Sequence, residues 1–238
     1  VNGADYDAWS SEKDPLIPAR YSMDDVSNKA VCKETLQAEF GLPANKDIPL
    51  IATISRLSDQ KGFDLISVAL EEMVALGGGL QYVVLGTGER RYHDLLGDFA
   101  KRLPQAFSVK MVHDNRLAHL MVAGADMLLA PSRYEPCGLS QLYSLRYGTV
   151  PIVRGVGGLE DTITDSTAQP GVGTGFKFYD YSKVALFDAI QRALAVYQNN
   201  DAWLQLMRRC MAEDFSWERS AREYAQLYNK ATKKHETR

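Results

Sequence analysis

The sequence is short of the residues by which a disulfide, a metal or a membrane would account for it. Cysteine occurs three times in 238 residues, at Cys32, Cys137 and Cys210. The number is odd, the spacings are long and no CxxC pair exists, so neither a disulfide framework nor a zinc site follows and a reducing compartment suits the chain. No histidine or carboxylate grouping has metal-ligand spacing on a helix face, so no metal is predicted. Apolar runs stop short of the ~18 residues of a membrane span, and the N-terminus lacks the basic, apolar and small-residue blocks of a signal sequence. Excess positive charge is missing too: 27 Lys+Arg against 30 Asp+Glu give a net charge of −3. That balance argues against nucleic acid as the main partner, although a local basic cleft is compatible with it. Gly86-Thr87-Gly88 lacks a third glycine, because a GxGxxG fingerprint needs one where Arg91 stands. The turn fails as a dinucleotide site, and no cofactor is expected.

What is present is ordinary in bulk and specific in places. Hydrophobic residues at 45% and charged residues at 24% fit a soluble globular chain. Residues 1–28 are rich in Asp, Ser and Pro, with Trp9 and Tyr21 as isolated aromatics, and read as an irregular lead-in over the domain surface. Asn28 to Phe40 suits a helix stopped by Gly41. Strand and helix candidates then alternate. Leu50–Ile54, Leu80–Leu85, Phe107–Val112, Met127–Ala130, Val150–Val153 and Gly175–Phe178 read as strands. Phe63–Leu76, Arg90–Lys101, Leu117–Ala123 and Leu139–Tyr147 read as helices. The alternation predicts an α/β fold, a Rossmann-like doubly wound parallel sheet with right-handed crossovers. From Ser182 the chain reads as helical, closing with a helix over about Trp217–Lys230 capped by Ser216. With no repeat, low-complexity tract or linker, residues 1–238 are expected to form one domain.

The most informative stretch is Ala130-Pro131-Ser132-Arg133-Tyr134-Glu135-Pro136-Cys137-Gly138-Leu139-Ser140-Gln141. It reads as strand, turn and helix, with an acid, a thiol and a glycine at the junction. In an open α/β sheet that junction lies at the carboxyl edge of the strands, where ligands bind. Taken alone, a strand-to-helix corner with an exposed glutamate and a buried cysteine is the plainer reading. The second stretch is Ser55-Arg56-Leu57-Ser58-Asp59-Gln60-Lys61-Gly62-Phe63-Asp64, where two cations flank a turn after a strand. Guanidinium offers a planar fork to phosphate oxygens and ammonium a compact point charge; solvated surface charge is the commoner fate of such residues.

These stretches, with Gly148-Thr149-Val150-Pro151-Ile152-Val153 and Gly157-Gly158-Leu159-Glu160-Asp161-Thr162, closely resemble the sugar-nucleotide half of bacterial glycogen synthases and plant starch synthases. The resemblance spans nearly all of the chain. It implies the C-terminal domain of a two-domain, GT-B type retaining glucosyltransferase, acting on ADP-glucose or UDP-glucose and an α-1,4-glucan acceptor in a bacterial cytoplasm or a plastid stroma. By it, Arg56 and Lys61 bind the two phosphates and steady the departing nucleoside diphosphate, and Glu135 faces the transferred glucose. Cys137, Gly138 and Leu139 present backbone N–H groups, and Ser140 reaches the phosphates. Gly86 and Gly88 belong to a turn near the nucleotide. His113 stands where the family usually carries a tyrosine against the base. Gly157 and Gly158 are expected in a loop, with a flexible turn and a ligand contact weighing equally. Tyr143 stands where other retaining glycosyltransferases of this architecture carry a second glutamate, a loss that glycogen synthases share. His119 matches a family histidine and is expected to be structural, and Lys29 and Lys33 fit a lysine-rich helix before the first strand.

The chain begins Val1-Asn2-Gly3-Ala4-Asp5-Tyr6-Asp7-Ala8-Trp9 without an initiator methionine, like the segment that opens the second half of these synthases. An excised half is therefore expected, one that binds nucleotide without turning over, with residues 216–238 packing on the half that carries the acceptor groove. Two alternatives stand beside this: another enzyme of the same architecture, such as a nucleotide-sugar epimerase, and a module that holds sugar nucleotide or glucan without catalysis.

Overall fold

The computed structural model describes residues 1–76 and 79–236. Six parallel strands form one sheet: β1 (Leu50–Ile54), β2 (Gln81–Leu85), β3 (Phe107–Lys110), β4 (Met127–Ala130), β5 (Val150–Arg154) and β6 (Phe176–Phe178). Their order is β3-β2-β1-β4-β5-β6. The chain runs outward from β1 to β3 and then returns to start again at β4. Between β1 and β4 the winding therefore reverses, which opens a crevice at the carboxyl ends of those two strands. Pairing there is short, Ile51 with Met127 and Ala52 with Leu128, whereas β1 pairs with β2 along its whole length.

The strands are apolar on both faces because helices cover both. Along β1 and β2, successive side chains point to opposite faces. Ile51, Tyr82 and Val84 join one core, and Leu50, Ala52, Val83 and Leu85 another. The first core includes residues of α2 (Phe63–Val74) and α3 (Arg90–Arg102); the second includes residues of α1 (Lys29–Glu39) and α4 (Asn115–Gly124). Helix α5 (Ser140–Arg146) links β4 to β5. The closing region is helical as expected, with α7 (Lys183–Tyr197), α8 (Asn200–Ala212) and α9 (Trp217–Glu236). Side-chain oxygens of Asp114, Ser182 and Asn199 cap α4, α7 and α8, and Ser216 Oγ accepts from Arg219 N–H at 3.3 Å.

Two local expectations need correction. The Gly157–Gly158 stretch is not a plain loop: a short helix, α6 (Gly158–Thr162), begins inside it. Gly158 is buried against the neighbouring loop, and a Cβ built there would lie 2.2 Å from Cys137 O. Close approach, and not flexibility, is what demands glycine at that position. The residues after β1 also hold more order than a loop, since Asp59–Lys61 form a 3-10 turn.

The amino edge of the sheet is tied by buried charge. Asp126 Oδ2, just before β4, accepts from Leu50 N–H at 2.8 Å and from Lys33 Nζ at 2.7 Å. Lys29 Nζ, also on α1, donates to Ala123 O at 2.9 Å, Tyr147 O at 3.2 Å and Thr149 Oγ1 at 2.7 Å. Ala123 and Tyr147 lie at the C-terminal ends of α4 and α5, where free carbonyls favour a cation. The lead-in is pinned as well. Ala4 bridges Ser216, and buried Asp14 accepts from Tyr147 Oη at 2.6 Å and pairs with His119 Nδ1 at 2.7 Å. His119 is thus a buried structural residue, as the sequence led us to expect.

Candidate functional site

Two loops meet above the crevice. One follows β1 and carries Arg56 and Lys61; the other follows β4 and carries Glu135. They approach because Gly62, with φ +82°, lets the first loop press on the second. A Cβ there would stand 2.3 Å from Pro131 O, so any other residue would force the loops apart. The contact is reinforced by Arg133 N–H donating to Gln60 O at 2.9 Å and by an ion pair between Arg133 and Asp64.

At the end of this contact Lys61 Nζ pairs with Glu135 Oε2. The side chains retain only 20% and 11% of their exposure, so both charges pay to leave water and their mutual attraction offsets part of that cost. Ser132 Oγ reaches the same carboxylate oxygen at 3.4 Å. Arg56 is exposed and donates to Gln60 Oε1 at 3.1 Å; among the described residues no carboxylate forms an ion pair with it. Next to them, the Asp59 carboxyl is held below its ordinary range by hydrogen bonds from Tyr92 and then Arg91. Asp59 is thereby a fixed negative group spoken for by its own partners, and it leaves Arg56 and Lys61 as the cations of the crevice.

A cavity of about 330 Å³ opens beside these loops, within the range of small-molecule sites. It is lined by the ends of β1 and β2 with Ser55, Arg56, Gly86 and Thr87, and by His113 to Asn115. Trp9 and Tyr143 also line it. A second cavity of about 20 Å³ adjoins it, lined by Lys61, Ser132, Glu135 and Gln141 among others. Ile54, Ser55 and Ser140 line both. Arg56, Gly86, His113 and Ser140 therefore meet in the larger space, and Lys61, Glu135 and Ser140 in the smaller.

The other candidate residues sit around these walls without forming them. Gly88 belongs to a turn zipped onto the β1 loop: Leu57 N–H donates to Thr87 O at 2.9 Å, and Glu89 N–H to Leu57 O at 2.8 Å. Cys137, Gly138 and Leu139 continue the Glu135 loop. Gln141 Nε2 holds that loop through Cys137 O at 2.9 Å and Gly138 O at 3.1 Å, while Cys137 Sγ accepts from Asn2 N–H at 3.3 Å. Gly158 N–H donates to Glu135 O at 2.9 Å. These contacts set the backbone that carries Glu135.

Sequence reasoning missed two aromatic residues that line the larger cavity. Trp9 was an isolated aromatic in an irregular segment, and Tyr143 only a place where a glutamate is lost. The folded chain stacks them with ring centroids 4.0 Å apart and planes within 4°. No local pattern could have joined residues so far apart in sequence. Among the described residues no group of three or more His, Cys, Asp or Glu side chains could hold a metal, and no helix is long and apolar enough to cross a membrane.

Residues 35–205 match the family described as glycosyl transferases group 1. Over 236 residues the chain is 48% identical to a glycogen synthase of Koribacter versatilis, covering 97% of this chain and 47% of that protein. Over 228 residues it is 50% identical to a glycogen synthase of Anaeromyxobacter sp. strain Fw109-5, covering 96% and 47%. The chain thus spans about half the length of the curated relatives it matches. Among solved structures, the catalytic domain of starch synthase IV from Arabidopsis thaliana, bound to ADP and acarbose, matches with a TM-score of 0.89 at 32% identity, over 97% of this chain and 48% of that one. A sucrose-phosphate synthase from Thermosynechococcus elongatus, at 24% identity and a TM-score of 0.62, shares the fold.

Proposed function

This chain belongs to the glycosyl transferases group 1 family, and on that premise we propose that it is the donor-binding half of a glycogen or starch synthase acting in the cytoplasm. The whole enzyme transfers glucose from ADP-glucose, or UDP-glucose, to the non-reducing end of an α-1,4-glucan with retention. The observation that carries this reading is the convergence of Arg56, Lys61 and Glu135 on two adjoining cavities at the switch point, in a chain 48% identical to a glycogen synthase over nearly its whole length.

The chemistry follows from where charge develops. Breaking the bond between the glucosyl carbon and the diphosphate leaves negative charge on the departing phosphate and an oxocarbenium-like sugar, and preorganised cations lower that barrier. Arg56, which has no carboxylate partner among the described residues, offers its fork to the phosphates. Lys61 has three N–H donors, so it can keep Glu135 and still meet a phosphate oxygen. Glu135, fixed by Lys61 and the Gly158 contact, faces the glucosyl group from the smaller cavity. Ser140, common to both cavities, marks the boundary between nucleotide and sugar.

The acceptor is held by the half of the relatives' length that this chain does not span. The outer face of α9, where Trp217, Tyr224, Leu227 and Tyr228 are exposed, suits docking against it. Positioning accounts for ~7–11 kcal/mol of a bimolecular barrier, so the chain alone is expected to bind ADP and elongate no glucan. Isothermal calorimetry with ADP, ADP-glucose, UDP-glucose and maltooligosaccharide tests this. Binding of a nucleoside diphosphate without turnover supports the reading; binding of maltooligosaccharide alone would overturn it.

A further inference from the structure

The outer edge of β6 carries a side-chain pair where a seventh strand would stand. β6 is the last strand of its sheet and bonds to β5 alone. In a parallel ladder, successive residues turn their N–H and C=O groups to alternate sides. Phe178 O accepts from Gly155 N–H at 2.8 Å on the β5 side, so the backbone groups of Lys177 face outward. Just before β6 the outward groups have a backbone partner: Gly175 N–H donates to Thr164 O at 3.2 Å, and Gly175 O accepts from Ser166 N–H at 2.8 Å. At Lys177 that backbone partner ends and side chains replace it. Asp165 Oδ2 accepts from Lys177 N–H at 2.6 Å, and Arg192 Nη2 donates to Lys177 O at 2.6 Å. A carboxylate takes the place of a carbonyl, and a guanidinium that of an amide.

The pair is held in place from behind. Asp165 Oδ1 accepts from the N–H groups of Thr167 at 2.8 Å and Ala168 at 3.0 Å. Arg192 reaches Asp165 Oδ2 at 3.3 Å, Thr167 Oγ1 at 2.7 Å and Asp188 Oδ2 at 2.7 Å. Burial works to raise the Asp165 carboxyl, but the N–H groups of Lys177, Ala168 and Thr167, with the Arg192 charge, outweigh it and hold the carboxyl below its ordinary range. A cavity of about 660 Å³ opens on this edge, lined by Asp165, Lys177, Tyr179, Val184 and Arg192 among others. Its ion pair is spent on the fold, while Tyr179 and Val184 are exposed beside it. Space, an apolar rim and a covered backbone describe a strand site closed from within. An open edge is a template for another chain, and charge placed on it prevents that pairing.

We infer that Asp165 and Arg192 close β6 against a second copy of this chain, which would otherwise pair with it edge to edge. The second copy is the occupant because a two-fold axis at Lys177 brings each copy's Lys177 N–H to the other's Lys177 O. The inference is independent of the donor site, which lies at the carboxyl ends of β1 and β4.

The test is sedimentation velocity over a concentration series on the wild-type chain, Asp165→Ala, Arg192→Ala, the double variant and Asp165→Asn, with hydrogen exchange at the Lys177 amide. A neutral hydrogen bond gives about a five-fold effect and edge pairing forms two, so the double variant should self-associate at least about ten-fold more tightly than the wild type. Its Lys177 amide should exchange fast when dilute and regain protection when concentrated. Asp165→Asn, which keeps an acceptor for Lys177 N–H, should behave as the wild type. A folded double variant no more associated than the wild type would overturn the inference. Association that leaves the Lys177 amide unprotected would overturn it too, because the copies would then join elsewhere. So would Asp165→Asn associating as strongly as Asp165→Ala, which traces the effect to lost charge. Where the double variant does not fold, the single variants decide. Each uncovers one backbone group and should associate more than the wild type, and folded single variants at the wild-type level overturn the inference.

Discussion

At the amino edge of the sheet Lys29 and Lys33 are buried, and every donor they hold is engaged within the fold; at the carboxyl edge Arg56 stands exposed and Lys61 is held by a single carboxylate. The two edges differ in what completes the cation. Lys33 Nζ meets Asp126 Oδ2 at 2.7 Å, Ile48 O at 2.7 Å, Lys46 O at 2.9 Å and Tyr197 Oη at 3.0 Å. Lys61 meets Glu135 beside a cavity. A cation satisfied by its own protein stabilises a fold, whereas one left with unused donors is free to serve a ligand. The same residue type thus reads as architecture below the sheet and as chemistry above it.

The largest effect should come from breaking the amino edge. Lys33→Met leaves Asp126 buried and unpaired, and losing one partner of a buried pair costs ~3–5 kcal/mol. Urea denaturation should register that loss while the ADP affinity of the folded protein stays unchanged. A loss below about 1 kcal/mol would mean that the pair carries no structural weight.

Lys29 sharpens the comparison through pH. Burial pushes its pKa down from 10.5 to about 8. The native state therefore gives up this proton near pH 8 while the unfolded chain keeps it until its ordinary value. Between those points the unfolded state binds more protons, so stability rises with pH, by about 1.4 kcal/mol per unit and ~3 kcal/mol in all. Other groups oppose this, since burial pushes the Cys210 thiol up to about 12. The measurement is therefore the difference in unfolding free energy between wild type and Lys29→Met from pH 7.5 to 10.5. A difference that stays flat would contradict the burial argument.

The smallest effect belongs to the carboxyl edge. Glu135→Gln removes the carboxylate that holds Lys61 and would compete with a phosphate for it. The pair keeps only 20% and 11% of its exposure, which puts its worth at the upper end of the surface range, about 1 kcal/mol, so ADP should bind about five-fold tighter by calorimetry. Weaker binding would place Glu135 on the nucleotide instead.

The sheet was legible because each strand is a short apolar run flanked by amphipathic helices, and β1 to β6 fall where those runs lie. The Arg56–Lys61 and Glu135 loops were legible as specific strings, and the switch-point rule put them on one edge. The burial of Lys29 and Lys33 was not legible, because on a helix lysine ordinarily faces water, and the acceptors that reverse that, the carbonyls ending α4 and α5, those of Lys46 and Ile48, and Asp126, arrive from elsewhere in the chain. Neither was α6, whose start at Gly157–Gly158 looks like a turn until the Cys137 loop is seen to press on it. Trp9 escaped for the same reason: its partners arrive from α4 and α5, and nothing local announces them.

The account turns on the claim that the cations left available at the carboxyl edge hold the donor's diphosphate. Calorimetry of ADP with Arg56→Ala and Lys61→Ala tests it directly, with urea denaturation run alongside. A charge-assisted hydrogen bond is worth about 1.5–3 kcal/mol, so each variant should bind ADP at least about ten-fold more weakly, with Arg56→Ala unfolding at the wild-type urea midpoint and Lys61→Ala below it because Glu135 loses its partner. Wild-type ADP affinity in both variants, with the fold intact, would contradict it.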